Sequence, residues 1–326
     1  MDNQREKNLI FKSDVRGNLD GDDRERLEAE LVSWQEAKID GEVEKPQELA
    51  VFLEMMIPKV VQVVEGYGAT PMPLTAEMVH LMPEDKYREY VRHLMGNDAC
   101  IKEDAIGISL LSRGILLNAG HLKEWDIDAF CNVIHELFHN VSVRKIAITE
   151  EPGKDVPNFE YRIGLRVKRG SHFNIHDSYF HLGGLNEAIT QFLMVRFYEK
   201  EMRKDPQFKE LVEKKDAILS AEQREHGYFV VPGGRGYVAI EKLFEDLVKK
   251  IYEDNEEFYE SIDDLRDRII RSYFTDSSPA RLFVVGGQNC FLDLTKIKPD
   301  NSPAVMEAIR NFRKKYGLPE DKQIAK

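Results

Sequence analysis

The residues with the clearest chemistry are two histidines and a glutamate in an H-E-x-x-H motif at positions 135–139. His135 and His139 lie four residues apart in a segment that we expect to be helical. Residues at this spacing differ by about 40° around a helix, so both imidazoles project from one face. Two ring nitrogens can then bind one Zn²⁺ at about 2.0–2.1 Å. Glu136 is expected to take a proton from metal-activated water without binding the metal itself.

The residues around the motif favour metal binding over two histidines that share a helix by chance. Val133, Ile134, Leu137 and Phe138 are apolar, so this helix is expected to be buried. Burying two imidazoles and a carboxylate costs free energy unless they are paired. A metal ion is the simplest compensation, and a structural histidine pair is the alternative.

A catalytic zinc site needs a third protein ligand and an open position for water. The metzincin continuation H-E-x-x-H-x-x-G-x-x-H is absent, because Ser142 and Lys145 occupy the glycine and third-histidine positions. Glu187 is the preferred third ligand, because it begins an apolar helix just after two glycines. A glutamate that only stabilises a helix N-terminus is the alternative interpretation. The rival ligands lie in the histidine-rich segment between the two helices and are His172, His176, Asp177 and His181.

The segments HELFH and NEAIT (186–190) resemble the H-E-x-x-H and N-E-x-x-[ST] motifs of the gluzincins. These are zinc peptidases whose third ligand is a glutamate on a second helix. The resemblance covers residues 105–200. It implies three metal ligands and a general base, which are His135, His139, Glu187 and Glu136.

The same resemblance implies that an edge strand within 106–118 binds extended peptide by strand addition.

Two features depart from the family. Glu187 follows His139 by 48 residues, a longer gap than in the best-known members, so an insertion such as a hairpin must lie between the two helices. In the thermolysin-like branch an aspartate four residues after the glutamate orients a ligand histidine, and here Gln191 occupies that position. The candidates for this orienting role are Asn132, Thr190 and Gln191.

An oxyanion stabiliser is also expected, because the tetrahedral intermediate develops charge that zinc does not fully neutralise. Tyr237 follows the glycine-rich segment 233–236 and opens a predicted helix, so it is the first candidate. A tyrosine that anchors the core with a solvated hydroxyl is the alternative. The other candidates are Tyr179, His181, Tyr228, Arg162 and Arg235.

Hydrophobic periodicity predicts an α+β fold dominated by helices. We expect a zincin-like core in which a small mixed or antiparallel sheet packs on the H-E-x-x-H helix, with further helices on both sides in sequence. Asp126 is the expected cap of the motif helix, and two strands are predicted within 105–118. The other predicted helices are 22–38, one from Pro46, 83–95, 185–203, 206–219, 238–253, 259–273 and one from Pro303.

The expected organisation has three regions along the chain. Residues 1–100 are expected to form an N-terminal helical region, and residues 101–200 the zincin catalytic core. Residues 201–326 are expected to form a mostly helical region that completes the cleft.

Composition narrows the class of protein and its partners. A net charge of −12 over 326 residues argues against a nucleic-acid partner, which needs clustered basic side chains. The N-terminus is too polar for a signal peptide, and no stretch approaches the ~18 apolar residues of a membrane span. Three cysteines without C-x-x-C spacing argue against a disulfide framework. We therefore expect a cytoplasmic protein with no membrane partner.

These observations together predict a zinc-dependent hydrolase, with amide-bond cleavage in a peptide or protein as the preferred reaction. Zn²⁺ is the expected cofactor on grounds of affinity, although Mn²⁺, Fe²⁺ or Co²⁺ fit the same ligands. The alternatives are a zinc amidase on a small acyl substrate and a non-catalytic zincin-like binding or regulatory protein.

Overall fold

The structure is a computed structural model. It describes residues 39–71, 74–95, 106–110, 114–122, 124–149, 158–171, 179–226, 238–275, 277–298 and 302–320. The helix predicted at 22–38 lies outside these residues.

The first described helix, α1 (Gln47–Gly66), begins directly after Pro46 as the sequence predicts. Its apolar residues recur every three or four positions, which places them on one face. Phe52 on that face stacks on Phe130 of the motif helix, with ring centroids 4.2 Å apart. Five apolar residues of this face, which the spacing in the sequence predicts to lie together, are all buried, namely Leu49, Phe52, Leu53, Met56 and Ile57.

A three-stranded mixed sheet supports the motif helix from one side. It comprises β1 (Val79–Met82), β2 (Gly107–Leu110) and β3 (Gly114–Asn118), in the order β1-β3-β2. Strand β1 runs parallel to β3, and β2 runs antiparallel to it. Helix α2 (Glu84–Met95) follows β1 in the chain and precedes β2. The two strands predicted within 105–118 are thus confirmed, as a pair in which β2 is the outer strand among the described residues.

The motif helix is α3 (Ile127–Val141), and Asp126 caps it by accepting a hydrogen bond from the backbone N–H of Ala129 at 2.9 Å. Helix α3 packs on β2 and β3. At its C-terminal end, Ser142 Oγ donates to the carbonyl oxygen of His139 at 2.7 Å. This bond satisfies one of the four carbonyls that a helix end leaves without an intrahelical donor.

The insertion expected between the two ligand helices is a four-stranded antiparallel sheet. Its strands pair in chain order, β4 to β7. Gly164, with φ +57°, lies in the tight turn between the second and third strands, and its N–H donates to the carbonyl of Val143. The strands are β4 (Arg144–Thr149), β5 (Asn158–Ile163), β6 (Arg166–Ser171) and β7 (Tyr179–His181).

The second ligand helix, α4 (Gly183–Phe197), lies in the centre of the molecule and continues as a π-helical turn at Tyr198–Met202. Every residue from Gly183 to Gln191 is buried. Gly184 allows this, because a Cβ there would lie 2.7 Å from the carbonyl oxygen of Ile297.

The remaining helices cover α4 and complete the core. Phe192 of α4 contacts Phe244, with ring centroids 6.1 Å apart, and Arg266 stacks on Phe192 while its guanidinium pairs with Glu245. The elements are α5 (Lys209–His226), α6 (Val238–Asp254), α7 (Ile262–Phe274), β8 (Val284–Val285), β9 (Gln288–Asn289), α8 (Phe291–Leu294) and α9 (Pro303–Lys315). Short 3₁₀ turns lie at Ala76–Met78, Pro206–Phe208, Glu256–Phe258 and Pro279–Leu282.

The α+β, helix-dominated class predicted from the sequence is confirmed. One buried apolar cluster runs from Leu49 to Leu318 and includes residues of all three expected regions. None of the helices in the described ranges combines the length and apolar character that crossing a bilayer requires.

The turn at Gly164 provides a test of how tightly the ligand helix is held. A Cβ on this residue would lie 2.5 Å from Asn186 Oδ1 and 2.5 Å from Tyr273 Cε2. We expect Gly164→Ala to lower the free energy of unfolding by about 3 kcal/mol, because overpacking adds to the left-handed backbone strain. Gly317 has φ +64° but no heavy atom within 4 Å of such a Cβ. The control Gly317→Ala should therefore cost only about 1 kcal/mol. Equal losses in chemical denaturation would contradict the close packing.

Glu241 on α6 should make stability depend on pH. Burial, with a smaller contribution from Glu245, raises the pKa of Glu241 to about 7. The folded state then binds this proton more tightly than the unfolded state, so the contribution to stability falls as pH rises from about 4.5 to 7. We expect Glu241→Gln to raise the unfolding free energy by about 2 kcal/mol at pH 8 and by little near pH 4.5. Glu253→Gln, at an exposed position of the same helix, is the baseline for the change in net charge. A gain at pH 8 no larger than this baseline would show that burial of Glu241 carries no such cost.

Candidate metal centre

Three buried side chains from two helices converge on one point. His135 and His139 come from α3 and Glu187 comes from α4, and each is 7% exposed. The Nε2 atoms of the two histidines are 3.1 Å apart. Glu187 Oε2 lies 3.2 Å from Nε2 of His135 and 3.1 Å from Nε2 of His139. Within the described ranges, no other group of three or more His, Cys, Asp or Glu side chains is placed so that it could hold a metal ion.

The triangle formed by these three atoms fits a metal ion better than it fits hydrogen bonds. Its sides are nearly equal, so hydrogens cannot point along all of them with favourable angles. Ligand atoms placed tetrahedrally at 2.0–2.1 Å from Zn²⁺ lie about 3.3 Å apart. The observed separations of 3.1–3.2 Å therefore match one face of a coordination tetrahedron. Among the described residues, the three side chains would supply three of the four positions of such a tetrahedron.

The charges within the group also suit a cation. Burial alone would raise the pKa of Glu187, but the charge of His139 and the hydrogen bonds of both histidines hold it well below its usual value. Burial alone would lower the pKa of His135, but the hydrogen bond and charge of Glu187 outweigh it and raise this pKa. A buried carboxylate of this kind needs positive charge beside it, which the two imidazoles supply here and which a bound cation would supply in their place.

Glu136 lies beside the triangle and is not part of it. Its side chain packs against β2, since its Cγ lies 2.9 Å from the position that a Cβ on Gly107 would take. Burial raises the pKa of Glu136, while the charges of His139 and His135 oppose the rise. Burial therefore makes this carboxylate easier to protonate than a solvated one.

Two hydroxyls and an amide surround the Nδ1 atom on the other side of the His139 ring. Thr190 Oγ1 and Tyr273 Oη each lie 3.2 Å from it, and Asn186 Nδ2 lies 3.3 Å from it. Thr190 Oγ1 and Tyr273 Oη are 2.8 Å apart. Tyr273, fully buried on α7, also donates to the carbonyl oxygen of Phe138 at 3.2 Å.

Asn186 connects the second ligand helix to the β5–β6 turn. Its Oδ1 accepts the backbone N–H groups of Leu165 at 2.9 Å and Arg166 at 3.3 Å. These two bonds fix which end of the amide faces the turn. Glu187, the next residue, is thereby held relative to the sheet.

The three candidates for an orienting role behave differently. Thr190 contacts His139, as described above. Gln191 is fully buried and raises the pKa of His135, although neither end of its amide makes a well-formed hydrogen bond. Asn132 instead donates to the carbonyl oxygen of Asp128 within its own helix, at 2.8 Å. The structure therefore does not bring Asn132 to a ligand histidine.

Several other sequence candidates fall outside the described residues. Tyr237, the first candidate for oxyanion stabilisation, is one of them, and its role stays a prediction. The same holds for the rival ligands in the histidine-rich segment. The rival ligands concerned are His172, His176, Asp177 and the side chain of His181. The other oxyanion candidates outside the described residues are Tyr228, Arg235 and the side chain of Tyr179.

Arg162 has a structural task that the sequence did not indicate. Its guanidinium donates to four backbone carbonyls, at Gly164, Ser272, Thr275 and Ser277. It therefore joins β5 to the end of α7. This use of its donors argues against the oxyanion role considered for it.

Sequence reasoning missed two residues close to the site. Tyr273 lies 134 residues after His139 along the chain, and no motif connects the two. Arg166 follows the β5–β6 turn and its charge lowers the pKa of Glu136. Arg166 is one of several basic residues in the insertion, so the sequence does not single it out. Tyr273 looks like any aromatic residue of an amphipathic helix.

Comparisons with protein-family models, with curated proteins and with solved structures found no match for this chain.

Proposed function

We propose that this protein is a zinc-dependent hydrolase, and that it cleaves amide bonds in peptides or proteins. The observation that carries the proposal is the triangle of two imidazole nitrogens and one carboxylate oxygen, with the carboxylate of Glu136 beside it. Three protein ligands and one open position are typical of catalytic zinc, whereas structural zinc has four protein ligands. A non-catalytic binding domain would have no use for Glu136.

His135, His139 and Glu187 would hold the ion. Two imidazoles and a carboxylate suit zinc, which stands high in the affinity order of divalent metals for such ligands. When bound, zinc lowers the pKa of water and polarises a carbonyl oxygen. A pKa of Glu187 held well below its usual value suits a ligand that binds a cation without first losing a proton.

Glu136 would act as the general base and then as the general acid. It takes a proton from the attacking water and later passes it to the leaving amine of the scissile bond. Its raised pKa suits both steps, because efficient proton transfer needs a pKa near the working pH. The burial that raises the pKa comes partly from Gly107, whose missing side chain allows Glu136 to pack against β2.

The position of β2 supports a peptide substrate. This strand is one of the two outer strands of its sheet in the described ranges, and it is the one that lies against Glu136. An extended peptide that pairs with β2 would pass beside the general base. The resemblance to gluzincins implies the same arrangement, and we propose a zincin-like core on this basis. A zinc amidase acting on a small acyl substrate would not need this strand.

Partners and compartment follow from composition. We propose a cytoplasmic enzyme with peptide or protein substrates and without nucleic-acid or membrane partners. Tyr237 remains the proposed oxyanion stabiliser.

The role of Glu136 is tested by Glu136→Gln. We expect one zinc per chain to remain bound, because this side chain is not a ligand. Hydrolysis should fall by about 10²–10⁴-fold, the usual contribution of a general base. The assay incubates zinc-loaded protein with an unfolded polypeptide mixture and counts new amino termini by mass spectrometry, with chelator-treated protein as the blank. Loss of zinc, or unchanged cleavage, would contradict the base assignment. Zinc-loaded wild-type protein without any cleavage would favour the binding-protein alternative.

The third ligand is tested by Glu187→Ala. We expect zinc to be lost on dialysis, because two imidazoles alone hold the ion too weakly to keep it at stoichiometric occupancy. Glu199→Ala is the control, since this glutamate lies just beyond α4 and pairs with Arg203 on the surface. Metal content is measured by elemental analysis. Full occupancy in Glu187→Ala would move the third ligand to the segment His172–His181.

A further inference from the structure

We propose that the hydroxyls of Thr190 and Tyr273 are positioning groups, which accept the Nδ1 proton of His139 and so turn its Nε2 towards the metal. This inference rests on the proposed zinc site and identifies the part of the molecule that prepares one ligand. It gives α7, a helix without any recognisable motif, a defined task at the site.

A neutral histidine that binds a metal through Nε2 must carry its proton on Nδ1. That N–H needs an acceptor, and outer partners of this kind fix both the tautomer and the ring orientation of metal ligands. His139 Nε2 faces the triangle. Its Nδ1 faces Asn186, Thr190 and Tyr273.

Asn186 cannot be the acceptor. Its Oδ1 is occupied by the backbone N–H groups of Leu165 and Arg166, so the atom that faces His139 is the Nδ2 donor. A donor placed 3.3 Å from Nδ1 cannot accept a proton from it. The asparagine of the N-E-x-x-[ST] segment, Asn186, is therefore not the acceptor of the Nδ1 proton.

Both hydroxyls are able to accept, because each has another use for its own proton. Thr190 Oγ1 donates to the carbonyl oxygen of Asn186 at 2.9 Å. Tyr273 Oη donates to the carbonyl oxygen of Phe138 at 3.2 Å, or to Thr190 Oγ1 at 2.8 Å. Each oxygen then keeps a lone pair for the imidazole N–H. In the opposite tautomer Nδ1 would accept from Asn186 Nδ2, which lies 3.3 Å away, but Nε2 would then carry the proton and could not bind a metal ion.

The position of Tyr273 depends on the fold around it. Its ring lies against Gly164, where a Cβ would come 2.5 Å from Cε2, and its hydroxyl reaches the last turn of α3. The carbonyl of Phe138 lies in that last turn, where carbonyls lack intrahelical donors. One hydroxyl therefore satisfies the end of the motif helix and also faces the ligand ring.

The test measures zinc affinity in Tyr273→Phe, Thr190→Val and the double variant. Zinc affinity is measured by competition with a chromophoric chelator, and coordination geometry by the visible spectrum of the Co²⁺-loaded protein. We expect each single variant to bind zinc several-fold more weakly and the double variant about 10–100-fold more weakly, as for other outer partners of metal ligands. The Co²⁺ spectrum of the double variant should change. Thr190→Ser keeps the hydroxyl and should retain nearly the wild-type affinity.

Tyr198→Phe is the matched control, because it makes the same chemical change at another buried tyrosine. The hydroxyl of Tyr198 has no hydrogen-bond partner among the described residues. Zinc affinity should be unchanged in this variant. Wild-type affinity and spectrum in the double variant would overturn the inference, and so would an equal loss in Tyr198→Phe or in Thr190→Ser. If wild-type protein binds no zinc, the proposed function fails together with the inference. Normal wild-type binding with unaffected variants overturns the inference alone.

Discussion

The structure depends on holding two imidazole nitrogens and one carboxylate oxygen within 3.2 Å of one another inside a buried region. Such a group is unfavourable unless a positive charge compensates it. The packing of α3 against α4 enforces the arrangement, because both histidines lie on one face of α3 and Glu187 lies on the facing turn of α4. A cation bound at the centre would compensate the buried carboxylate of this group.

The elements around α3 and α4 contact side chains at or beside the triangle and so help to fix their positions. Strand β2 meets Glu136 at Gly107, and the β5–β6 turn meets Asn186 at Leu165 and Arg166. Helix α7 brings a hydroxyl to the ring of His139. Elements far apart in the sequence therefore hold the three side chains, as groups hydrogen-bonded to metal ligands do in other metal sites. Glycine is needed at positions 107 and 164, because a Cβ there would overlap Glu136 at the first position and Asn186 and Tyr273 at the second.

Sequence reasoning reached the local features and missed the distant ones. The spacing of His135 and His139 predicts a shared helix face, and Asp126, Pro46 and the apolar stripes predict helix starts that the structure confirms. Glu187 could be identified because it lies in a short motif on a buried helix. The sequence predicts an insertion such as a hairpin between the two helices, but it does not give the four strands and their order, since short strands without clear alternation carry little periodicity. Tyr273 could not be found, because its role arises from the packing of α7 and leaves no pattern in its neighbours.

X-ray absorption at the zinc edge of the purified protein would identify the ligands of a bound ion. We expect one zinc per chain, coordinated by two imidazole nitrogens at about 2.0–2.1 Å and by oxygen ligands at about 2.0–2.2 Å, with no sulfur. Protein purified without chelators that contains no stoichiometric metal would contradict this expectation. So would a zinc ion with sulfur ligands, because the two buried cysteines of the described chain, Cys131 and Cys290, are not part of the triangle.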